Sequence, residues 1–214
     1  LINGGLNPLT AAELRKAMYA EFEGYWNIDG MAKSEDWTRY FTPSAVSREK
    51  GTEMLCRGLM SMVYGNSSSN LSSKGWLESS LDEFFCTYEV DRVKKTIKDY
   101  QKVLKLSREI LGEHPFRRNN LASNRYSKVS KTMIEPVSYV FSKLRHKYSS
   151  AKLLAKQSEL ALAWDTYLSF ENDGSERVLQ GNTPQKFLSR NQDLLAREKP
   201  SPAPILARQV IEIY

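Results

Sequence analysis

The sequence contains too few cysteines and histidines for the common metal and nucleophile sites. Its 214 residues include two cysteines, Cys56 and Cys86, and two histidines, His114 and His146. No ligand-like spacing links these four residues, so we predict no metal site. Free buried thiols in a reducing compartment fit the pattern better than a disulfide. A lone histidine without an orienting partner is more typical of a surface position than of catalysis.

The chain also lacks long apolar runs and nucleotide-binding motifs. No apolar stretch approaches the ~20 residues that a membrane span needs, and 41% of the residues are hydrophobic and 26% charged. We therefore expect a globular protein of the cytoplasm, without a membrane partner. No G-x-x-x-x-G-K-[ST] sequence occurs, so we predict no phosphate loop, cofactor or self-contained catalytic site in this chain. Whether it is part of a larger enzyme stays open.

Positive charge is concentrated in one part of the chain. The net charge is +6, but residues 114–156 contain ten lysines and arginines against one acidic residue, whereas residues 1–93 are net negative. Such a block is typical of a surface that faces a polyanion or an acidic partner. We predict that DNA binds through Arg117, Arg118, Arg125, Lys128, Lys131, Arg145, Lys147 and Lys152. The alternatives are a solvated face, or a scaffold surface on which an acidic domain or second subunit docks without nucleic acid.

Apolar residues recur at helical spacing along most of the sequence. This pattern predicts an all-α fold, an irregular bundle of about seven to nine helices in one domain of residues 1–199. Residues 200–214 read as a proline-rich spacer and a terminal segment whose last ten residues fit a helix or a strand. The predicted helices cover residues 11–22, a short segment around Trp37, 48–64, 76–88, 89–111, 128–147 and 150–170, with a further start at Thr183-Pro184. Pro136 is expected to kink its helix or delay its start.

The first helix has a well-defined start. Thr10 and Glu13 stand three residues apart before an apolar run and predict a capping box. The expected inward stripe of this helix is Leu14, Met18 and Phe22, and Gly24 is expected to end it. The preceding Asn3-Gly4-Gly5 has two interpretations, either a turn that leads into the helix or a segment that completes a site on a partner domain.

This opening stretch resembles a recurrent segment of the GmrS-like family of type IV restriction and phage-defence proteins. The residues that follow the family order are Ile2, Asn3, Gly5, Pro8, Leu9, Thr10, Glu13, Leu14 and Arg15. One departure is that Leu6 replaces the second glycine of the family pattern. Further along, Glu53 to Arg57 is similar to the Glu-x-x-x-Arg helix of the family, and Phe116-Arg117-Arg118 is similar to its Phe-Arg loop.

The resemblance implies a part of a larger protein rather than a complete enzyme. The N-terminal domain of the family is related to ParB and sulfiredoxin and carries an Asp-Gly-Gln-Gln-Arg signature linked to nucleotide hydrolysis. That signature does not occur here, because Asp29-Gly30 continues into Met31 and Asp173-Gly174 into Ser175. We therefore expect a helical C-terminal accessory domain that contacts DNA. Its expected partners are the nucleotide-handling domain and a nuclease domain or subunit, and no catalytic residue is carried over.

Overall fold

The structure, a computed structural model, describes residues 10–47, 49–65, 73–117, 119–120, 125–170, 187–189 and 191–192. Within these ranges the all-α prediction is confirmed, and seven of the helices have at least seven residues. The helices are α1 (Ala11–Met18), α2 (Glu23–Lys33), α3 (Glu35–Thr38), α4 (Pro43–Ser47), α5 (Lys50–Tyr64), α6 (Ser73–Thr87), α7 (Val90–Leu111), α8 (Lys131–Lys147), α9 (Ser150–Ala155) and α10 (Gln157–Phe170). A minimal antiparallel ladder pairs β1 (Asn119–Asn120) with β2 (Arg125–Tyr126).

Helix α5 is the centre of the bundle. It packs along α8 and also contacts α1, α2, α4, α6 and α7. Leu55, Cys56, Leu59 and Met60 are all at most 1% exposed, so apolar side chains are removed from water on more than one face of this helix. Burial of this kind is the main favourable term in folding, and α5 is therefore the element against which the other helices are assembled.

Helices α6 and α7 each bury an apolar face in the core. On α6 the buried aromatic residues include Trp76, Phe84 and Phe85, and the rings of Phe84 and Phe85 are 5.1 Å apart. On α7 the inward residues include Ile97 and Tyr100. None of the helices in the described part of the chain is long and apolar enough to cross a membrane.

The prediction for the end of the first helix is wrong. Helix α1 ends at Met18, and Gly24 lies within the next helix, α2, instead of ending the first. Gly24 is needed for close packing, since a Cβ atom there would lie 2.6 Å from Cγ1 of Val93 on α7. The predicted inward stripe is also wrong at Met18, which is 57% exposed, because Arg15 instead faces the interior.

The predicted helix over residues 150–170 is interrupted. Lys156 has φ −107° and ψ 19° and separates α9 from α10. Its side chain is 4% exposed and lies 3.5 Å from the carboxylate of Glu159. Helix α8 begins at Lys131 rather than Lys128, and Pro136 lies inside it.

Some predictions concern residues outside the described ones. These are the motif positions Asn3, Gly5 and Pro8, the helix start at Thr183-Pro184, the segment 200–214, and residues 66–72 of a polar connection predicted over 65–75. Residues 73–75 of that connection belong to α6 instead. Of the two cysteines, Cys56 is buried as expected, whereas Cys86 is exposed, and both are free thiols.

Candidate nucleic-acid interface

The turn between α8 and α9 brings together lysines from two helices. Ser149 caps α9, its Oγ accepting a hydrogen bond of 3.3 Å from the backbone N–H of Lys152. This cap fixes the change of direction after α8. As a result the ammonium groups of Lys147 and Lys152 lie 5.5 Å and 5.3 Å from the ring centroid of Tyr148. The capped turn thus places two cations, from different helices, next to one aromatic ring.

A third lysine extends this arrangement along α8. The ammonium group of Lys143 lies 5.3 Å from the ring centroid of Tyr139. We call Lys143, Lys147 and Lys152, with Tyr139 and Tyr148, the basic surface. Lys143 and Lys147 are exposed and Lys152 is half-buried, and the ammonium groups of all three lie within cation–π distance of a tyrosine ring.

The lysines of the basic surface have no acidic partner in the described part of the chain. Helix α7 differs in this respect, although it also has many lysines. There Lys102 lies 3.1 Å from Asp99 and Lys105 lies 3.9 Å from Glu109 on the same helix. Surface ion pairs of this kind are weak, but they reduce the local positive potential. Among the described residues, the lysines of the basic surface therefore lack the acidic neighbours that lie beside Lys102 and Lys105 of α7.

Two arginines predicted to contact DNA are used within the fold. The guanidinium of Arg117 donates a hydrogen bond to the backbone oxygen of Tyr40 and lies over the ring of that residue. Arg145 donates a hydrogen bond of 3.4 Å to the backbone oxygen of Asp99 on α7. These contacts connect α8 and the loop after α7 to their neighbours. They leave both side chains half-buried.

The remaining predicted contacts do not join the basic surface. Lys128, before α8, and Lys131, its first residue, are exposed. Lys131 is separated from Lys143 by about 18 Å of helix, at 1.5 Å per residue. Arg118 and the side chain of Arg125 are outside the described residues. Of the eight predicted residues, the structure therefore brings together Lys147 and Lys152.

A second polar feature lies inside the bundle, and of its contacts only the Glu53–Arg57 pair, four residues apart on one helix, is indicated by the sequence. Arg15 of α1 lies 3.0 Å from Glu78 of α6 and 3.8 Å from Glu53 of α5. Arg57 of α5 lies 3.2 Å from Glu53 and 3.2 Å from Glu135 of α8. We call these five residues the buried ion chain, since Arg15, Arg57 and Glu135 are each at most 9% exposed.

The carboxylates of the buried ion chain respond differently to their surroundings. Burial raises the pKa of Glu53, but Lys50 and Arg57 outweigh that effect and hold the pKa below its usual value. Burial raises the pKa of Glu135, and the attraction of Arg57 offsets only part of this rise. Glu135 therefore loses more by being charged and buried than it gains from Arg57 and, to a smaller extent, from Lys131.

The lowered pKa of Glu53 predicts a pH-dependent stability difference between the wild type and Glu53→Gln. Folding lowers the pKa of Glu53 from its ordinary value of 4.5. Such a carboxyl stabilises the fold above its unfolded pKa, and this stabilisation is lost as the pH falls through the folded pKa. We expect the variant to be less stable than the wild type at about pH 7 and the difference to shrink at about pH 3. Urea unfolding of both proteins at the two pH values measures this, and a constant difference would contradict it.

The family-motif residues in the described part of the chain have structural roles. The predicted capping box is confirmed, with the backbone N–H of Thr10 donating to Glu13 at 2.7 Å and the backbone N–H of Glu13 donating to Thr10 at 3.2 Å. Arg15 belongs to the buried ion chain. No group of three or more metal-ligating side chains occurs among the residues that the structure describes.

Across the described residues, the fold and these contacts define an all-α protein with a basic surface on one helix pair and an ion chain in its core. Comparison with known protein families, with curated proteins and with solved structures finds no match for this chain.

Proposed function

We propose that this chain is a helical accessory domain that contacts duplex DNA through the basic surface. The observation that carries the proposal is the group of Lys143, Lys147 and Lys152, three lysines on two helices with no acidic partner in the described part of the chain. DNA carries a regular array of phosphates, and each lysine that contacts one releases counterions from the duplex.

The position of the lysines argues against a purely structural explanation. A cation near the end of α8 is favoured by the helix dipole, and this accounts for Lys147. It does not account for Lys143, one turn earlier, or for Lys152, which belongs to the next helix. The rings of Tyr139 and Tyr148 lie beside the cations, and tyrosine is among the residues that contact phosphates in protein–DNA complexes.

The biological setting is a separate part of the proposal. The resemblance of the opening stretch to the GmrS-like family supports a role in a restriction or phage-defence system. In that setting the chain would hold DNA for a nucleotide-handling domain and a nuclease domain or subunit. Its own role is binding, and the NTPase or nuclease activity belongs to those partners.

We predict that the triple variant Lys143→Gln, Lys147→Gln, Lys152→Gln binds duplex DNA about tenfold more weakly than the wild type at low salt. The slope of log K against log salt concentration should become smaller by about three, because each lost phosphate contact removes about one released counterion. Fluorescence anisotropy with a labelled duplex at several salt concentrations measures both quantities.

The matched control removes the same charge from α7, by Lys95→Gln, Lys98→Gln and Lys102→Gln, all exposed lysines of one helix. We expect this triple variant to retain most of the affinity. Equal losses in the two variants would mean that binding depends on net charge rather than on the basic surface. A wild-type affinity that does not depend on salt would contradict the proposal, and loss of assembly with an acidic partner would favour the scaffold alternative.

A further inference from the structure

A cavity of about 260 Å³ lies between α2 and α3 on one side and α7 on the other. Its inner wall is apolar and includes Trp37, Leu55, Leu104 and Phe116, which are all buried. The rings of Trp37 and Phe116 have centroids 5.3 Å apart and are inclined at 58°. Ligand sites for drug-sized molecules occupy about 300–1,000 Å³, so this cavity has room for one small ring system.

The polar residues that line this cavity carry more positive than negative charge. Lys105 and Arg108 of α7 and Asp36 of α3 are among them, and Lys105 also lies 3.9 Å from Glu109, a residue of α7 outside the lining. Nη1 of Arg108 lies 3.5 Å from Oδ1 of Asp36, and this ion pair connects the two sides of the cavity. Asp36 is largely exposed, whereas Arg108 is half-buried.

We infer that the cavity binds a small flat aromatic ring that carries one anionic group. The ring takes the apolar space beside Trp37 and Phe116, and the anion becomes the partner of Arg108 in place of Asp36. A ligand of this kind uses both halves of the cavity, whereas a neutral ring leaves the cations unused and a non-aromatic anion leaves the apolar wall unused. The inference is independent of the basic surface.

The exchange of partners at Arg108 is energetically feasible. An exposed ion pair contributes only about 0–1 kcal/mol, since water solvates both groups well. A bound carboxylate or phosphate can instead accept hydrogen bonds from Arg108 with Lys105 nearby, and charge-assisted bonds of this type are among the stronger polar contacts. Asp36 therefore competes with the bound anion for Arg108.

The test is isothermal titration calorimetry of the full chain with two anionic probes, indole-3-acetate and adenosine 5′-monophosphate. Their neutral counterparts, indole-3-acetamide and adenosine, serve as matched ligands. We expect at least one anion to bind, and its neutral counterpart to bind about tenfold more weakly because it has no charge for Arg108. Binding of the carboxylate alone identifies a small aromatic acid as the ligand class, and binding of the nucleotide identifies a mononucleotide.

Variants of the lining residues locate the binding. Arg108→Met should weaken the anion about tenfold, and Asp36→Asn should strengthen it about threefold by removing the competitor. Leu104→Phe should abolish binding by filling the cavity. Lys102 lies one turn from Lys105 and does not line the cavity, so Lys102→Met should leave the affinity for the anion unchanged. The triple variant of the basic surface should leave it unchanged as well. The inference is overturned if neither anion binds, if neutral and anionic probes bind equally, or if Arg108→Met and Leu104→Phe leave the affinity unchanged.

Discussion

Replacing Arg57 with methionine is expected to lower the free energy of unfolding by about 3–5 kcal/mol, the usual cost of leaving a buried charge without its partner. Arg57 is 5% exposed and contacts both Glu53 and Glu135. Glu53 keeps Lys50 at 3.0 Å after the change, but Arg57 is the one cation in an ion pair with Glu135 in the described part of the chain. Urea denaturation of the two proteins at about pH 7 measures the loss.

The control for this prediction removes both members of the pair. The double variant Arg57→Met, Glu135→Met leaves no unpaired charge at position 135. Replacing both members of a buried ion pair with apolar residues often changes the stability little. We expect the double variant to be clearly more stable than Arg57→Met alone. We also expect the deficit of Arg57→Met to shrink at low pH, because Glu135, whose pKa is raised by burial, can then be protonated. A double variant less stable than the single one would contradict this account.

Local features of the fold could be predicted from the sequence. The capping box of Thr10 and Glu13, the end of α7 at Gly112 and the ion pair of Glu53 with Arg57 each depend on residues within four positions of one another. Helix geometry alone brings such residues together. The positive φ of 80° at Gly112 also explains why glycine ends that helix.

The buried ion chain could not be predicted because its contacts are distant in sequence. Arg57 and Glu135 are 78 positions apart, and Arg15 and Glu78 are 63 apart. Periodicity identifies an apolar face but gives no partner for a charged residue, so Met18 was expected inside and the burial of Arg15 was not foreseen. One signal was present in the sequence, since Glu135 is the one acidic residue of 114–156 and stands between apolar neighbours, Ile134 and Pro136. An acid that is buried in such a stretch requires a partner.

The candidate interface was predicted as a stretch of sequence but not as a surface. The summed charge over residues 114–156 identifies the region, but it cannot show which of these cations make contacts within the fold. Arg117 and Arg145 bind backbone oxygens of Tyr40 and Asp99. Lys143 was noted within the block but was not among the predicted DNA contacts. It joins the surface because α8 places it one turn before Lys147.

The other large effect is expected at Gly58, in the middle of α5. Gly58→Ala should lower the free energy of unfolding by about 1–3 kcal/mol, although alanine is the better helix former by about 1 kcal/mol. A Cβ atom at this position would lie 2.0 Å from the hydroxyl oxygen of Tyr100 and 2.6 Å from Oγ of Ser138. Tyr100 is fully buried and its ring is rigid, so the clash cannot be relieved by a simple rotation. Thermal or urea unfolding measures the change.

Two further variants separate this clash from a general effect of alanine. Gly30 lies in α2 with nothing within 4 Å of an added Cβ, so Gly30→Ala should stabilise the protein by about 0.5–1 kcal/mol. Tyr100→Phe removes the hydroxyl that approaches Gly58, and Gly58→Ala should cost about half as much in that background or less. An equal cost in both backgrounds would exclude the hydroxyl as the cause. Glycine at position 58 thus lets α5, α7 and α8 meet at the Tyr100 hydroxyl, which is why a poor helix former occupies the middle of the central helix.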